Sequence, residues 1–398
     1  MIRFTLPLAL LFGVSVHAQS PTPLPTPGAV AQSVGTPTPP PPSVEGTAWL
    51  LLDDASGRVL ASANADARVE PASITKVMTS YVVSAELHAG KIQPDDDVTI
   101  SENAWRGGGG GTDGSTSFLP VNSKVKLADL LRGMIIQSGN DASIALAEHV
   151  AGSEETFASL MNAHAQRLGM TASHFVNSHG LSASDHYTTA RDVARLSQAL
   201  IHDFPDDYAI YSQKEFTFNG IRQYNRNMLL WKDESVDGIK TGHHSGAGYC
   251  LAASAQRGDQ RLISVVMGSQ SEKQRADDSL ALLNWGFRFF ETHTVYSAGA
   301  EVAAPALWKG EAETLSLGLQ QPLLVTVPRG RYDSIEAAMD VPAQLVAPIE
   351  RGEAVGTLRL TLDGEPIAER PLIALADAPE GGFFKRISDG FWLWWESD

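Results

Sequence analysis

Ser73 and Lys76, in the stretch "VEPASITKVMTSYVV", place a hydroxyl and an amine three residues apart. On a helix such a pair shares one face a turn apart, within mutual reach. Pro71 suits a first helical turn, and Val77, Met78 and Val82 recur at helical spacing, which predicts a helix from about Ser73 to Ala89. A serine becomes a useful nucleophile when a base takes its proton, and a lysine can be that base only if its amine is neutral near pH 7. The pattern alone is weak. It recurs at Ser123-Lys124-Val125-Lys126, in the alternating "VNSKVKL", where residues three apart point to opposite faces of a strand. Two further triplets add weight. Ser138-Gly139-Asn140 lies in a tight connection between two predicted helices, and Lys240-Thr241-Gly242 ends a predicted strand. Ser-x-Asn also occurs at Ser62 and Ser101, but Lys-Thr-Gly occurs once. The ordered set is specific where its members are not.

These triplets must be held by a folded core, and the composition allows one. The chain has 398 residues, 43% hydrophobic and 19% charged, with a net charge of −16. That field repels phosphate, and no basic cluster interleaved with aromatics offsets it, so a nucleic-acid partner is not expected. "MIRFTLPLALLFGVSVHAQS" has an early Arg3, an apolar run and the small-x-small Val16-His17-Ala18, the pattern of a cleaved export signal over residues 1–18. The only cysteine is Cys250, so no disulfide forms within the chain, and "GYCLAASA" reads as a buried segment in which it packs as a small hydrophobe.

A Pro-rich, nearly uncharged spacer of polyproline type occupies 19–44. Residues 45–294 then open on a β-hairpin around Ala55-Ser56-Gly57 and continue through helical patterns near 127–136, 142–150, 154–168 and 190–201. Strand patterns follow from about 236, then a helix from Ser271. Strands at both ends around a helical middle predict an α+β domain whose antiparallel sheet joins the two ends. Residues 295–377 change texture to short apolar runs broken by Gly, Pro and Asp-Gly, a small all-β domain. In 378–398, Phe383, Phe384, Ile387, Phe391, Trp394 and Trp395 fall within about 120° of a helical wheel, opposite Lys385, Asp389 and Glu396. This predicts an amphipathic helix lying in a membrane interface and relying on its aromatics, since Asp389, Glu396 and Asp398 offset Lys385 and Arg386.

With "SITK", "SGN" and "KTG" in place, the chain resembles the low-molecular-mass penicillin-binding proteins of the serine-type D-alanyl-D-alanine carboxypeptidase family. The likeness extends to "NADARVEPASITKVMTSYVV", "LLRGMIIQSGNDAS", "KEFTFNGIRQYNRNMLLW", "DGIKTGH", "LNWGFRFFET" and "PRGR", covering nearly everything from residue 45 to the tail. It implies the penicillin-binding/β-lactamase-like transpeptidase fold, an antiparallel sheet with a helical cluster. It also implies a periplasmic enzyme at the outer face of the inner membrane, removing the terminal D-alanine from peptidoglycan stem peptides through an acyl-enzyme and inhibited by β-lactams. Ser73 would attack, with Lys76 as base, its pKa lowered by the Lys240 ammonium and a partly dehydrated cleft. Ser138 would relay a proton, and Asn140 would orient the substrate amide or Lys76. The backbone N–H groups of Ser73 and His243, beside Gly242, would hold the oxyanion, while Thr241, Arg226 and Arg275 read the terminal carboxylate.

No cofactor is implied, and His243-His244 lacks a third ligand at a spacing useful to a metal. The run Gly107 to Gly111 departs from the family pattern and predicts a mobile loop beside the site. A class A β-lactamase would need an E-x-x-L-N segment between SGN and KTG, and none is present. A D,D-endopeptidase on cross-linked peptidoglycan is chemically close. A non-catalytic β-lactam sensor has no need of an activated serine.

Overall fold

The computed structural model describes residues 38–108 and 114–396, with side chains to Trp392. The export signal, most of the Pro-rich spacer, Gly109–Gly111 and the Trp394 and Trp395 side chains lie outside the described residues. The described residues divide into two compact units, one from residue 38 to Thr292 (without 109–113) with Thr326–Arg329, the other of His293–Val325 with Gly330 onward.

In the first unit, "AWLLLD" and "VLASA" pair as the hairpin Ala48–Asp53 and Val59–Ala63. The hairpin joins the last three strands of the unit in a five-stranded sheet, ordered Val59–Ala63, Ala48–Asp53, Gln260–Ser269, Gly248–Arg257, Val236–His244. Every pairing is antiparallel. Both faces are covered, which is why these strands show apolar runs where a half-exposed strand would alternate. Leu50 and Leu52 pack with Ile239, Cys250, Ala252 and Val265 on the side of the helical cluster. Trp49 and Leu51 point the other way, into a core with Leu282, Leu283 and Trp285 of the helix Glu272–Phe289. The α+β expectation, with its sheet uniting the two ends of the unit, describes this architecture.

Helices Thr75–His88, Asn140–Ala151, Glu154–Arg167 and Ala190–Asp203 lie close to their expected positions. Two differences matter to the site. The α-helix begins at Thr75, and Ser73 belongs to a 3₁₀ turn, Ala72–Ile74, entered through Ala72 at φ +47°. The predicted helix 127–136 is α only over Leu127–Arg132, then widens to a π turn, Gly133–Gln137, that stops at Ser138 in the left-handed region, φ +68°. Backbone strain of this kind concentrates where geometry serves function.

The second unit is the small β structure expected from its composition. Its five-stranded sheet runs Glu301–Ala303, Leu317–Gly318, Glu365–Ala374, Ala354–Leu362, Ile335–Asp340. Asp363 and Gly364, at φ +54° and +81°, make the tight turn between its two longest strands. Leu358, Leu360 and Leu372 form part of its core. The helix Phe383–Glu396 closes the unit, with Asp389 accepting the Lys309 backbone N–H at 2.7 Å. Its polar side is thus engaged, while Phe383, Phe384, Ile387, Phe391 and Trp392 are all exposed, Phe384 by 86%. No helix among the described residues is long and apolar enough to cross a membrane.

Candidate active site

The 3₁₀ turn and first helical turn put Lys76 Nζ 3.0 Å from Ser73 Oγ. Lys76 is wholly buried, and its amine also donates to Asn140 Oδ1 and to the His179 carbonyl, each at 2.7 Å. Both of those are obligate acceptors here. A neutral amine has two N–H bonds and one lone pair, so satisfying the two acceptors leaves the lone pair for the Ser73 hydroxyl. Burial, the leading cause, lowers the Lys76 pKa to about 7 against the opposing pull of Asp141 and Glu154. Of the two expected causes this bears out the dehydrated cleft and corrects the Lys240 ammonium, which is not among the causes. Dehydration dominates, and Lys240 is itself held well below the usual lysine range, by burial first and then by Lys76, Arg226 and Arg275.

Lys240 lies buried in the strand Val236–His244, its Nζ 3.2 Å from the Thr241 carbonyl. This strand is at the sheet edge, so one row of its backbone groups has no partner strand within the sheet. Gly242 packs against Pro71, Ala72 and the Ser73 backbone nitrogen. Ser73, Ser138, Arg226, Thr241, Gly242, His243 and Arg275 together line a cavity of about 200 Å³. Ser138 is buried in that wall, but its hydroxyl bonds to neither Ser73 nor Lys76 among the described residues. Arg275 is 3% exposed and donates to the Gly242 carbonyl at 3.1 Å, whereas Arg226 is exposed at the rim. The His243 ring stacks on Tyr249 with centroids 3.9 Å apart. The second Ser-x-x-Lys copy is elsewhere, in the exposed–buried–exposed strand Lys124–Lys126.

Sequence reasoning missed the floor of the site, "NSHGL" at 177–181. The His179 carbonyl holds Lys76, and the Ser178 carbonyl accepts from Thr79 and Ser143. Glu154 anchors the loop by accepting from the Ser178 N–H at 2.9 Å and hydroxyl at 2.6 Å. Gly180, at φ +89°, lets the loop lie against Ala72, whose carbonyl oxygen would stand 1.8 Å from an added Cβ. Its only sequence signal was a cluster of turn-forming residues between two helical patterns. Asp141, next to Asn140, was also missed. Its buried carboxylate accepts the backbone N–H groups of Ser117, Leu119 and Ala142 and the Thr116 hydroxyl, tying that segment to the Asn140 helix. The glycine run is tighter at its start than a mobile loop predicts. Gly107 and Gly108 abut Ile144 and Asp141, where an added Cβ would come within 2.3 Å in each case.

Residues 34–271 match the family described as D-alanyl-D-alanine carboxypeptidase, and 290–380 match the C-terminal domain of penicillin-binding protein 5. The chain is 50% identical over 350 residues to the D-alanyl-D-alanine carboxypeptidase DacC of Escherichia coli (strain K12), covering 87% of this chain and 88% of that one. With DacA of the same organism it shares 47% identity over 349 residues, 87% of each chain. The structure of penicillin binding protein 5 from Haemophilus influenzae superposes with a TM-score of 0.83 at 42% identity, over 86% of this chain and 99% of that one.

Proposed function

From the premise that the chain belongs to the D-alanyl-D-alanine carboxypeptidase family, we propose that Ser73 is its nucleophile and Lys76 the base, within a catalytic domain spanning 45–294. The enzyme is a serine carboxypeptidase that removes the terminal D-alanine of peptidoglycan stem peptides and binds penicillin. The observation that carries the site assignment is the Lys76 amine, with two fixed acceptors, a hydroxyl 3.0 Å away and a pKa near 7.

The substrate adds as a strand along the open edge of Val236–His244, its carboxylate toward Thr241, Arg275 and Arg226. Ser73 Oγ bonds to the carbonyl carbon between the two D-alanines as its proton passes to Lys76. The oxyanion is met by the Ser73 and His243 N–H groups, donors that need no reorganisation. The C–N bond breaks, and Ser138 relays a proton to the leaving amine. Water then attacks the ester, gives its proton to Lys76, and frees Ser73. Asn140 positions Lys76, and Lys240 is buried near enough to Lys76 for the Lys76 charge to disfavour its own. A β-lactam acylates the same oxygen, but its leaving nitrogen stays tethered in the opened ring.

The test is D-alanine release from a monomeric pentapeptide, which we expect the purified enzyme to catalyse. Release from cross-linked dimers alone would assign an endopeptidase, and penicillin labelling without release a sensor.

The terminal helix is the proposed attachment to the outer face of the cytoplasmic membrane, its engaged polar side leaving the aromatics outward. Removing residues 383–398 will move the protein from the membrane to the soluble periplasmic fraction. The cut removes the Asp389 acceptor of the Lys309 N–H but falls beyond Gly381, whose own N–H still bonds to the Lys309 carbonyl at 2.7 Å. Unchanged partition would refute the anchor.

A further inference from the structure

At the floor of the site, three polar groups converge on one carboxylate oxygen. Glu154 Oε1 accepts the Ser178 N–H at 2.9 Å and the Ser178 hydroxyl at 2.6 Å, and His179 Nε2 stands 3.5 Å away. His179 Nδ1 accepts the Leu181 N–H at 3.1 Å, so the neutral ring carries its proton on Nε2, toward Glu154. Burial, and then the Lys76 charge, hold the ring pKa to about 3. No imidazolium therefore offsets the carboxylate at neutral pH.

The same loop is tied down elsewhere. The Ser178 carbonyl accepts from Thr79 at 2.6 Å and Ser143 at 3.0 Å, and the Val176 N–H donates to His186 Nδ1 at 3.0 Å. What Glu154 adds is a hold on both the N–H and the hydroxyl of Ser178, immediately before the residue that serves the base. The His179 carbonyl accepts from Lys76 Nζ at 2.7 Å. With that acceptor and Asn140 satisfied, the lone pair of the neutral amine is left for Ser73. Were the carbonyl withdrawn, the amine would turn about its terminal C–N bond, and its lone pair would face Ser73 only part of the time.

We propose that Glu154 is a positioning residue for the base. By gripping Ser178 it keeps the His179 carbonyl on the Lys76 amine, and it adds a fixed negative charge from the first turn of the helix Glu154–Arg167. The role rests on the Ser73–Lys76 reading above. The charged groups around Lys76 are Asp141 of the helix Asn140–Ala151, Glu154, and Lys240 of the edge strand, with Arg226 and Arg275 acting on Lys240. Asp141 is committed to the Ser117 and Leu119 N–H groups, Glu154 to the loop. Both acids favour the ammonium form of Lys76. Glu154 thus has two opposed effects on the reaction. It aims the lone pair at Ser73, and it raises the pH at which that lone pair becomes free.

The experiment follows penicillin acylation of the purified protein by stopped flow from pH 5 to 9, in wild type, Glu154→Ala and Glu154→Gln. Alanine removes the grip. The acylation rate constant at saturating penicillin above pH 8 should fall about tenfold, with little change in the initial affinity for penicillin. The glutamine amide oxygen still accepts from Ser178, so that variant should recover most of the loss. It lacks the charge, so its midpoint should lie about half a pH unit below the wild-type value near 7. At pH 6, relative to its own plateau, it should then acylate about threefold faster than wild type. A merely damaged fold would slow the reaction without moving its midpoint toward acid. A Glu154→Gln midpoint at or above that of wild type would overturn the proposal, as would a Glu154→Ala plateau equal to wild type. If Glu154→Ala does not fold, the glutamine midpoint decides alone. No acylation of the wild type at any pH would instead overturn the Ser73–Lys76 reading, and this role with it.

Discussion

Ser73→Ala will abolish covalent labelling by a fluorescent penicillin and cut D-alanine release by at least about 10⁴-fold, since nothing else in the cleft offers an activated oxygen. Ser138 shares the cavity, but its hydroxyl makes no bond to Lys76 and cannot substitute. The variant should fold. Ser73 is half-buried in a short 3₁₀ turn, and alanine keeps the Cβ packing there. Lys76 retains Asn140 and the His179 carbonyl as partners. Thermal melting within about 1 kcal/mol of wild type, the worth of one hydrogen bond, would exclude unfolding as the cause. A labelled Ser73→Ala protein would mean that another residue carries the acyl group.

Lys76→Arg will lower the acylation rate by about 10³-fold, within the range that a positioned general base contributes. The charge is conserved, but a guanidinium does not give up its proton near neutral pH and so cannot accept one from Ser73. The wild-type enzyme adds a second signature. With the Lys76 pKa lowered to about 7, the amine is cationic and inactive below that value and neutral above it. The acylation rate constant should therefore rise about tenfold per pH unit on the acid side and level off above pH 7. Measuring penicillin acylation by stopped flow between pH 5 and 9 checks this. A flat profile, or one whose rise is centred near 10, would remove Lys76 from the role of base. Burial is the main source of the shift, so salt should move the midpoint little.

Local patterns carried most of what could be read in the chain. Ser73 and Lys76 were legible because a helix brings residues three apart onto one face, and the edge strand was legible because "VDGIKTGHH" is bounded by turn residues. The sheet that closes the unit followed from strands at its two ends. What stayed hidden depends on distant partners. The His179 carbonyl reaches Lys76 across 103 positions, and a backbone acceptor has no residue type to betray it. Asp141 holds a segment 22 to 25 residues upstream, and its letter there reads like any helix-start acid. The 3₁₀ entry at Ala72 was equally invisible, because alanine carries no preference for positive φ. Tertiary packing around Gly180 and Gly242 imposes it. Of the two expected causes of the Lys76 shift, the dehydrated cleft holds and the Lys240 charge does not, for a related reason. Composition shows that a second lysine exists, whereas the depth of both amines appears only in three dimensions.

Cys250 gives the fold a built-in clock. It is the sole thiol of the chain and is wholly buried. Burial pushes its pKa up to about 11, and in the sheet it stands opposite Gly242 of the Lys-Thr-Gly strand. An alkylating reagent can reach that sulfur only when the packing between this sheet and the helical cluster opens. Its rate of modification therefore counts the excursions in which the wall of the reaction centre comes undone. Because the sulfur never needs a bridge, the same protein can mature in a reducing compartment as readily as in an oxidising one.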